Sequence, residues 1–146
     1  MPNKLNGNKN MRYVTFIVTQ NCNLNCSYCY EHNKTKSAFN VELVKDIIQK
    51  ELSIKDEYSE ICFDFFGGEP FLEFAKIREI VEYFRDKKFA KKVYFFAGTN
   101  GTLITNEVQD WLIKNRDVFQ IALSLDGTRE MHNLNRSNSY DLIPID

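Results

Sequence analysis

The spacing of apolar positions changes period repeatedly along the chain. Tyr13-Val-Thr-Phe-Ile-Val-Thr19 alternates and then turns continuously apolar, the pattern of a strand with both faces largely covered. Ile61-Cys-Phe-Asp-Phe-Phe66, Val93-Tyr-Phe-Phe-Ala97 and Phe119-Gln-Ile-Ala-Leu-Ser-Leu125 read as three further strands. Between them the apolar spacing lengthens to a helical period. Val44, Ile47, Ile48 and Leu52 share one face of a first helix, capped by Asn40 with Glu42 in its first turn. Pro70 opens a second helix, where its missing N–H costs nothing, with Phe74, Ile77, Val81 and Phe84 inward. Thr105 caps a third, with Val108, Trp111 and Leu112 inward.

Strand–helix alternation at this spacing predicts an α/β fold with a parallel sheet and right-handed crossovers. The polar and glycine-rich signals then fall almost entirely where a strand has ended and its helix has not begun. In a (β/α) barrel or an open α/β sheet, that rim is the active face. Cys22, Cys26 and Cys29 follow strand one, and Gly67-Gly-Glu-Pro70 follows strand two. Thr99-Asn-Gly101 follows strand three, and Ser124 with Asp126-Gly127 ends strand four. One glycine pair alone reads as a plain turn. Four such loops on one rim point to a site.

Composition narrows the reading. The chain has 146 residues, enough for one domain with a real core. With 19 Lys+Arg against 20 Asp+Glu it carries no charge excess that would call for nucleic acid or an anionic membrane. Residues 1–10 are Asn- and Lys-rich and read as a disordered tail without the apolar centre of a signal peptide. No apolar run reaches the ~18 residues of a membrane span. Four cysteines in such a chain read as metal ligands or thiols before disulfides, which points to the cytoplasm.

The cysteine loop carries the chemistry. Cys22-x-x-x-Cys26-x-x-Cys29 gathers three thiols within eight positions, close enough to converge on a metal or an iron–sulfur cluster. A three-thiolate cubane leaves one iron open to bind something else. His32, three residues beyond Cys29, supplies an alternative: a zinc tetrahedron of three cysteines and one histidine in an interaction module. Cys62 lies mid-strand and reads as a buried, inert thiol. Glu69 also fits a first-turn helix carboxylate. Asn100-Gly101 and Asp126-Gly127 are ordinary turn pairs, Arg136 fits a solvated arginine, and Lys87-Lys88 and Lys91-Lys92 read as solvated helix and strand ends.

From about Tyr13 to Arg136 these motifs together resemble the radical S-adenosylmethionine (SAM) superfamily. They are most similar to its anaerobic sulfatase-maturase and SPASM-type peptide-maturase subgroup. The residues that carry the likeness are the three cysteines with Tyr28 before the last, Gly67-Gly-Glu-Pro70, Thr99-Asn-Gly-Thr-Leu103 and Ser124-Leu-Asp-Gly127. His132 stands in a family-like position, with Asn133 where the family has an acidic neighbour. The resemblance implies a 4Fe-4S cluster on Cys22, Cys26 and Cys29, and SAM chelated at the open iron. It assigns Glu69 to the SAM ammonium, with Gly67 and Gly68 clearing space for backbone approach. Ser124 would contact the ribose, Arg136 the SAM carboxylate, and Tyr28 the adenine side. It implies reductive cleavage of SAM to a 5′-deoxyadenosyl radical that abstracts hydrogen from a peptide or protein, with a reductant such as ferredoxin or flavodoxin.

The family core is a partial TIM-like barrel of six strand–helix units. The expectation here is its N-terminal portion: residues 11–146 as a radical SAM core domain ending after the fourth of about four parallel strands, with three helices. Ser139-Tyr-Asp141 reads as the start of a fourth helix cut short by Pro144. That length leaves two further expectations: a catalytically incomplete fragment that binds cluster and SAM only, or a chain completed by a second one.

Overall fold

In the computed structural model, residues 10–145 are described. The strands are β1 (Met11–Thr19), β2 (Glu60–Gly67), β3 (Lys92–Thr99) and β4 (Phe119–Leu123). They alternate with helices α1 (Val41–Ser53), α2 (Phe74–Arg85), α3 (Asn106–Lys114) and α4 (Arg129–Asn135). The sheet order is β1-β2-β3-β4 and every pairing is parallel. Sequential order with parallel strands requires each helix to cross over on the same side of the sheet, which is the start of a barrel wall.

Strand pleating then divides the residues. Val18, Ile61, Phe63, Phe65, Phe95, Ala97 and Phe119 turn toward the helices and join the buried residues of α1, α2 and α3 in one core. The phenylalanines form its spine: Phe65 stacks on Phe95 at 6.0 Å with the rings 4° from parallel, and Trp111 meets Phe119 edge-on at 5.3 Å. The alternate positions face the barrel interior. There Thr15 and Ile17 of β1 are exposed, Ile17 by 65%, which corrects the expectation that both faces of the first strand are covered. Only its helix-facing side is.

The predicted caps form. Asn40 Oδ1 accepts the Leu43 N–H at 3.0 Å, and Thr105 Oγ1 accepts that of Val108 at 3.3 Å. Three local expectations are corrected. Pro70 opens a 3-10 turn, Pro70–Glu73, and α2 begins after it at Phe74. Among the described residues there are four α-helices rather than three. The fourth lies at Arg129–Asn135, and Ser139-Tyr-Asp141 leads only into a 3-10 turn, Tyr140–Leu142. α4 has a Thr128 cap but buries only His132, so it has no apolar stripe to betray it. Lys91, read as solvated, is 7% exposed and pairs with Asp56 at 2.7 Å. No helix among the described residues is long and apolar enough to cross a membrane.

Candidate functional site

The C-terminal ends of the four strands surround a cavity of about 230 Å³. Every residue expected at the site lines it: Cys22, Cys26, Tyr28 and Cys29 after β1, Gly67, Gly68 and Glu69 after β2, Ser124 after β4 and Arg136 after α4. Gly98 and Thr99 of β3 and Asn100 just after it add to the wall, with Tyr30, Glu31, Lys34 and Phe66. His32 does not reach it; that side chain lies in a separate recess with Cys26 and Cys29.

The glycine pair holds the cysteine loop. The Gly68 N–H donates to Thr19 O at 2.9 Å and the Glu69 N–H to Asn21 O at 2.9 Å. A Cβ on Gly67 would stand 2.0 Å from Thr19 O, at a φ of +147°, and one on Gly68 would stand 2.2 Å from Asn21 O. Their missing side chains therefore admit the backbone of this chain's own loop. A second strap comes from Glu69, which is 1% exposed. Its carboxylate accepts the Phe71 N–H at 3.0 Å, the Thr99 hydroxyl at 2.7 Å and the Asn100 N–H at 2.8 Å. Burial pushes its pKa up against the pull of these donors. Glu69 is thus the N-cap of the 3-10 turn rather than a first-turn residue, and the same carboxylate also ties the β2 loop to the β3 loop.

Asn100, read as half of a turn pair and as part of a family-like segment, is 6% exposed and reaches the cysteine loop. Its Nδ2 donates to Asn23 Oδ1 at 2.9 Å, and Asn23 Nδ2 donates to Thr102 Oγ1 at 2.8 Å. The Thr102 N–H and hydroxyl return to Asn100 Oδ1 at 3.0 and 2.8 Å, closing the circuit. Thr99-Asn-Gly-Thr102 was legible as a turn; its grip on Asn23, between two of the cysteines, was not.

The far side of the loop is clasped from α4. The Ser27 N–H donates to Asn135 O at 2.8 Å, and the Asn25 N–H to Ser137 Oγ at 2.8 Å, so both flanks of Cys26 are tied down. Ser137 and Asn138 sit at φ +55° and +54°, a left-handed pair costing roughly 1–2 kcal/mol per residue. Arg136, the C-cap of α4 just before this pair, lines the cavity. Asp126 joins the two sides, accepting the Tyr28 hydroxyl at 2.6 Å and Arg136 Nε at 2.8 Å, with the guanidinium 5.3 Å from the Tyr28 ring centre. Desolvation and the Asp126 hydrogen bond push the Tyr28 phenol up to about 12. Burial pulls Asp126 up, but the bonds from Tyr28 and Arg136 outweigh it and leave the carboxyl below its ordinary value. Behind this group His132 is buried, with Nε2 at 3.1 Å from Ser139 Oγ.

Asp126→Ala is expected to cost about 1–2 kcal/mol, since hydrogen bonds to charged groups at a partly buried site are lost. Urea unfolding checks this, and Asp126→Asn, which can still accept from Tyr28, is expected to lose less.

Cys22, Cys26 and Cys29 are free and partly exposed. Cys22 Sγ accepts the Leu24 N–H at 3.4 Å. Burial pushes the Cys26 thiol up, opposed by Arg136. Among the described residues no three His, Cys, Asp or Glu side chains stand close enough to hold one ion. The three thiols line one cavity. A cubane, which offers a separate iron to each thiolate, suits such a set; a single zinc needs its ligands on one centre.

The family described as a 4Fe-4S single cluster domain matches residues 5–142. The chain belongs to that family. A cysteine-type anaerobic sulfatase-maturating enzyme of Clostridium perfringens is 32% identical over 136 residues, covering 86% of this chain and 35% of the relative. The radical SAM cyclopropyl synthase TigE of Paramaledivibacter caminithermalis is 24% identical, covering 94% of this chain and 32% of that one. Among solved structures, native anSMEcpe with bound AdoMet and Cp18Cys peptide matches with a TM-score of 0.70 at 28% identity, over 90% of this chain and 37% of that one. The four-stranded sheet is thus the fold of the N-terminal part of a radical SAM barrel, as the motifs led one to expect. The chain spans about a third of the length of these relatives.

Proposed function

We propose that this chain provides the cluster- and SAM-binding part of a radical SAM maturase acting on a peptide or protein. The observation that carries the reading is that the three thiols share one cavity with Glu69, Ser124 and Arg136. Cys22, Cys26 and Cys29 hold a 4Fe-4S cluster, and a bound cluster supplies the electron that cleaves SAM into methionine and a 5′-deoxyadenosyl radical. Arg136, with Nε committed to Asp126, offers its remaining N–H groups to the SAM carboxylate. Ser124 offers a hydroxyl to the ribose. Glu69 braces the loops, and its carboxylate, on the cavity wall, is the group for the ammonium. Tyr28, held by Asp126, flanks the bound nucleoside. The peptide substrate is suggested by the relatives, whose solved forms include peptide-bound anSMEcpe; a ferredoxin- or flavodoxin-type reductant completes the reading.

Anaerobic reconstitution with iron and sulfide tests it: about four irons and four sulfides per chain are expected, with an electron paramagnetic resonance (EPR) spectrum of the reduced cluster that changes on adding SAM. Arg136→Ala is expected to raise the SAM Kd about tenfold or more while leaving iron content unchanged, as loss of a charge-assisted contact does. A spectrum indifferent to SAM would leave a cluster protein without the proposed cofactor. Stoichiometric zinc with no iron uptake would replace the reading by the interaction module.

A further inference from the structure

Gly98 is the cavity glycine that the fold does not account for. Gly67 and Gly68 are explained by the loop backbone against them, Gly101 by a φ of +81° and the Leu123 side chain, and Gly127 by a φ of +56°. Gly98 has neither excuse. Its φ lies outside the left-handed region, and among the described residues a Cβ built on it meets nothing within 4 Å. Yet it sits inside β3, where glycine weakens a strand and often marks the close approach of a ligand.

Its surroundings extend the gap. On β4 the paired residue is Ala122, also small. On β2, one step beyond the Phe65–Ala97 pair, lies Phe66, 43% exposed and lining the same cavity. Two small residues beside a half-exposed aromatic make an open apolar shelf on the interior face of the sheet, continuous with the wall that carries Glu69 and Ser124.

We infer that Gly98 is a binding residue by omission: the space above its Cα is reserved for bound SAM, and the missing side chain sets how closely SAM approaches the sheet. This rests on the SAM-binding reading above. Because nothing of the protein occupies the space, Gly98→Ala and Gly98→Val are expected to fold, with Gly98→Ala melting no lower than the parent.

The test is SAM affinity by isothermal titration calorimetry on the anaerobically reconstituted chain and both variants, with iron content and thermal melting measured alongside. The expected result is unchanged iron content and unchanged or higher melting temperature. The SAM Kd should be raised about tenfold or more in Gly98→Val and by a smaller factor in Gly98→Ala, as overfilling a packed contact does. A variant that binds SAM with parental affinity overturns the inference. So does a Gly98→Ala protein that melts lower, since the space would then belong to the fold. A parent chain that takes up its cluster and does not bind SAM overturns instead the reading on which the inference rests.

Discussion

Gly68→Ala is expected to destabilise the domain by about 3 kcal/mol or more, the scale of a backbone clash with no side chain to move aside. The added methyl would stand 2.2 Å from Asn21 O and 2.8 Å from Gln20 O. Relief requires moving the β1 loop away from β2, which breaks the 2.9 Å bond from Glu69 N to Asn21 O. Asn21 adjoins Cys22, so the damage reaches the cysteines: a lower urea midpoint should be accompanied by poor iron retention. The contrast with Gly98→Ala is the informative one. Both glycines line the same cavity, but Gly68 is fixed by the protein and Gly98 by what the protein holds. Equal, small effects on stability at the two positions would contradict the close packing of these loops.

The second large effect is on the cluster. Cys22→Ala, Cys26→Ala and Cys29→Ala are each expected to lower bound iron and sulfide by more than about tenfold after reconstitution, because two thiolates do not hold a cubane against loss. His32→Ala and Cys62→Ala serve as opposite controls and should keep full iron. His32 lies outside the cavity, and Cys62 is 2% exposed within β2. Iron and sulfide measured on the five variants separate the readings. Retention in Cys26→Ala, or loss in His32→Ala, would mean a different ligand set.

What could be read from the sequence divides along physical lines. Strands and helices with a repeating apolar period were legible, because burying one face imposes that period: Phe63 and Phe65 on β2, and Ile77, Val81 and Phe84 on α2, are buried as the pattern requires. α4 was not, since a seven-residue helix whose one buried residue is His132 leaves only a Thr128 cap to mark it. The cysteines stood out by their spacing and the other candidate site residues by a resemblance, and each lines the cavity. The residues that hold those side chains in place carry no such mark. Asp126 and Asn100 are turn residues by type, and only folding brings Asp126 to Tyr28 and Arg136, and Asn100 to Asn23. Ser137 is equally ordinary in sequence; its left-handed backbone and its bond from Asn25 emerge only when α4 packs beside the cysteine loop. Lys91 was misjudged for the same reason, as its partner Asp56 lies in the distant α1–β2 connection.

The measurement closest to the central claim is SAM cleavage by the reconstituted chain. Anaerobic protein is reduced with dithionite in the presence of SAM, and 5′-deoxyadenosine is quantified by mass spectrometry beside a Cys26→Ala control. The account predicts 5′-deoxyadenosine from the parent chain and none above background from the control. Full cluster incorporation without 5′-deoxyadenosine, or equal product from both proteins, would contradict it.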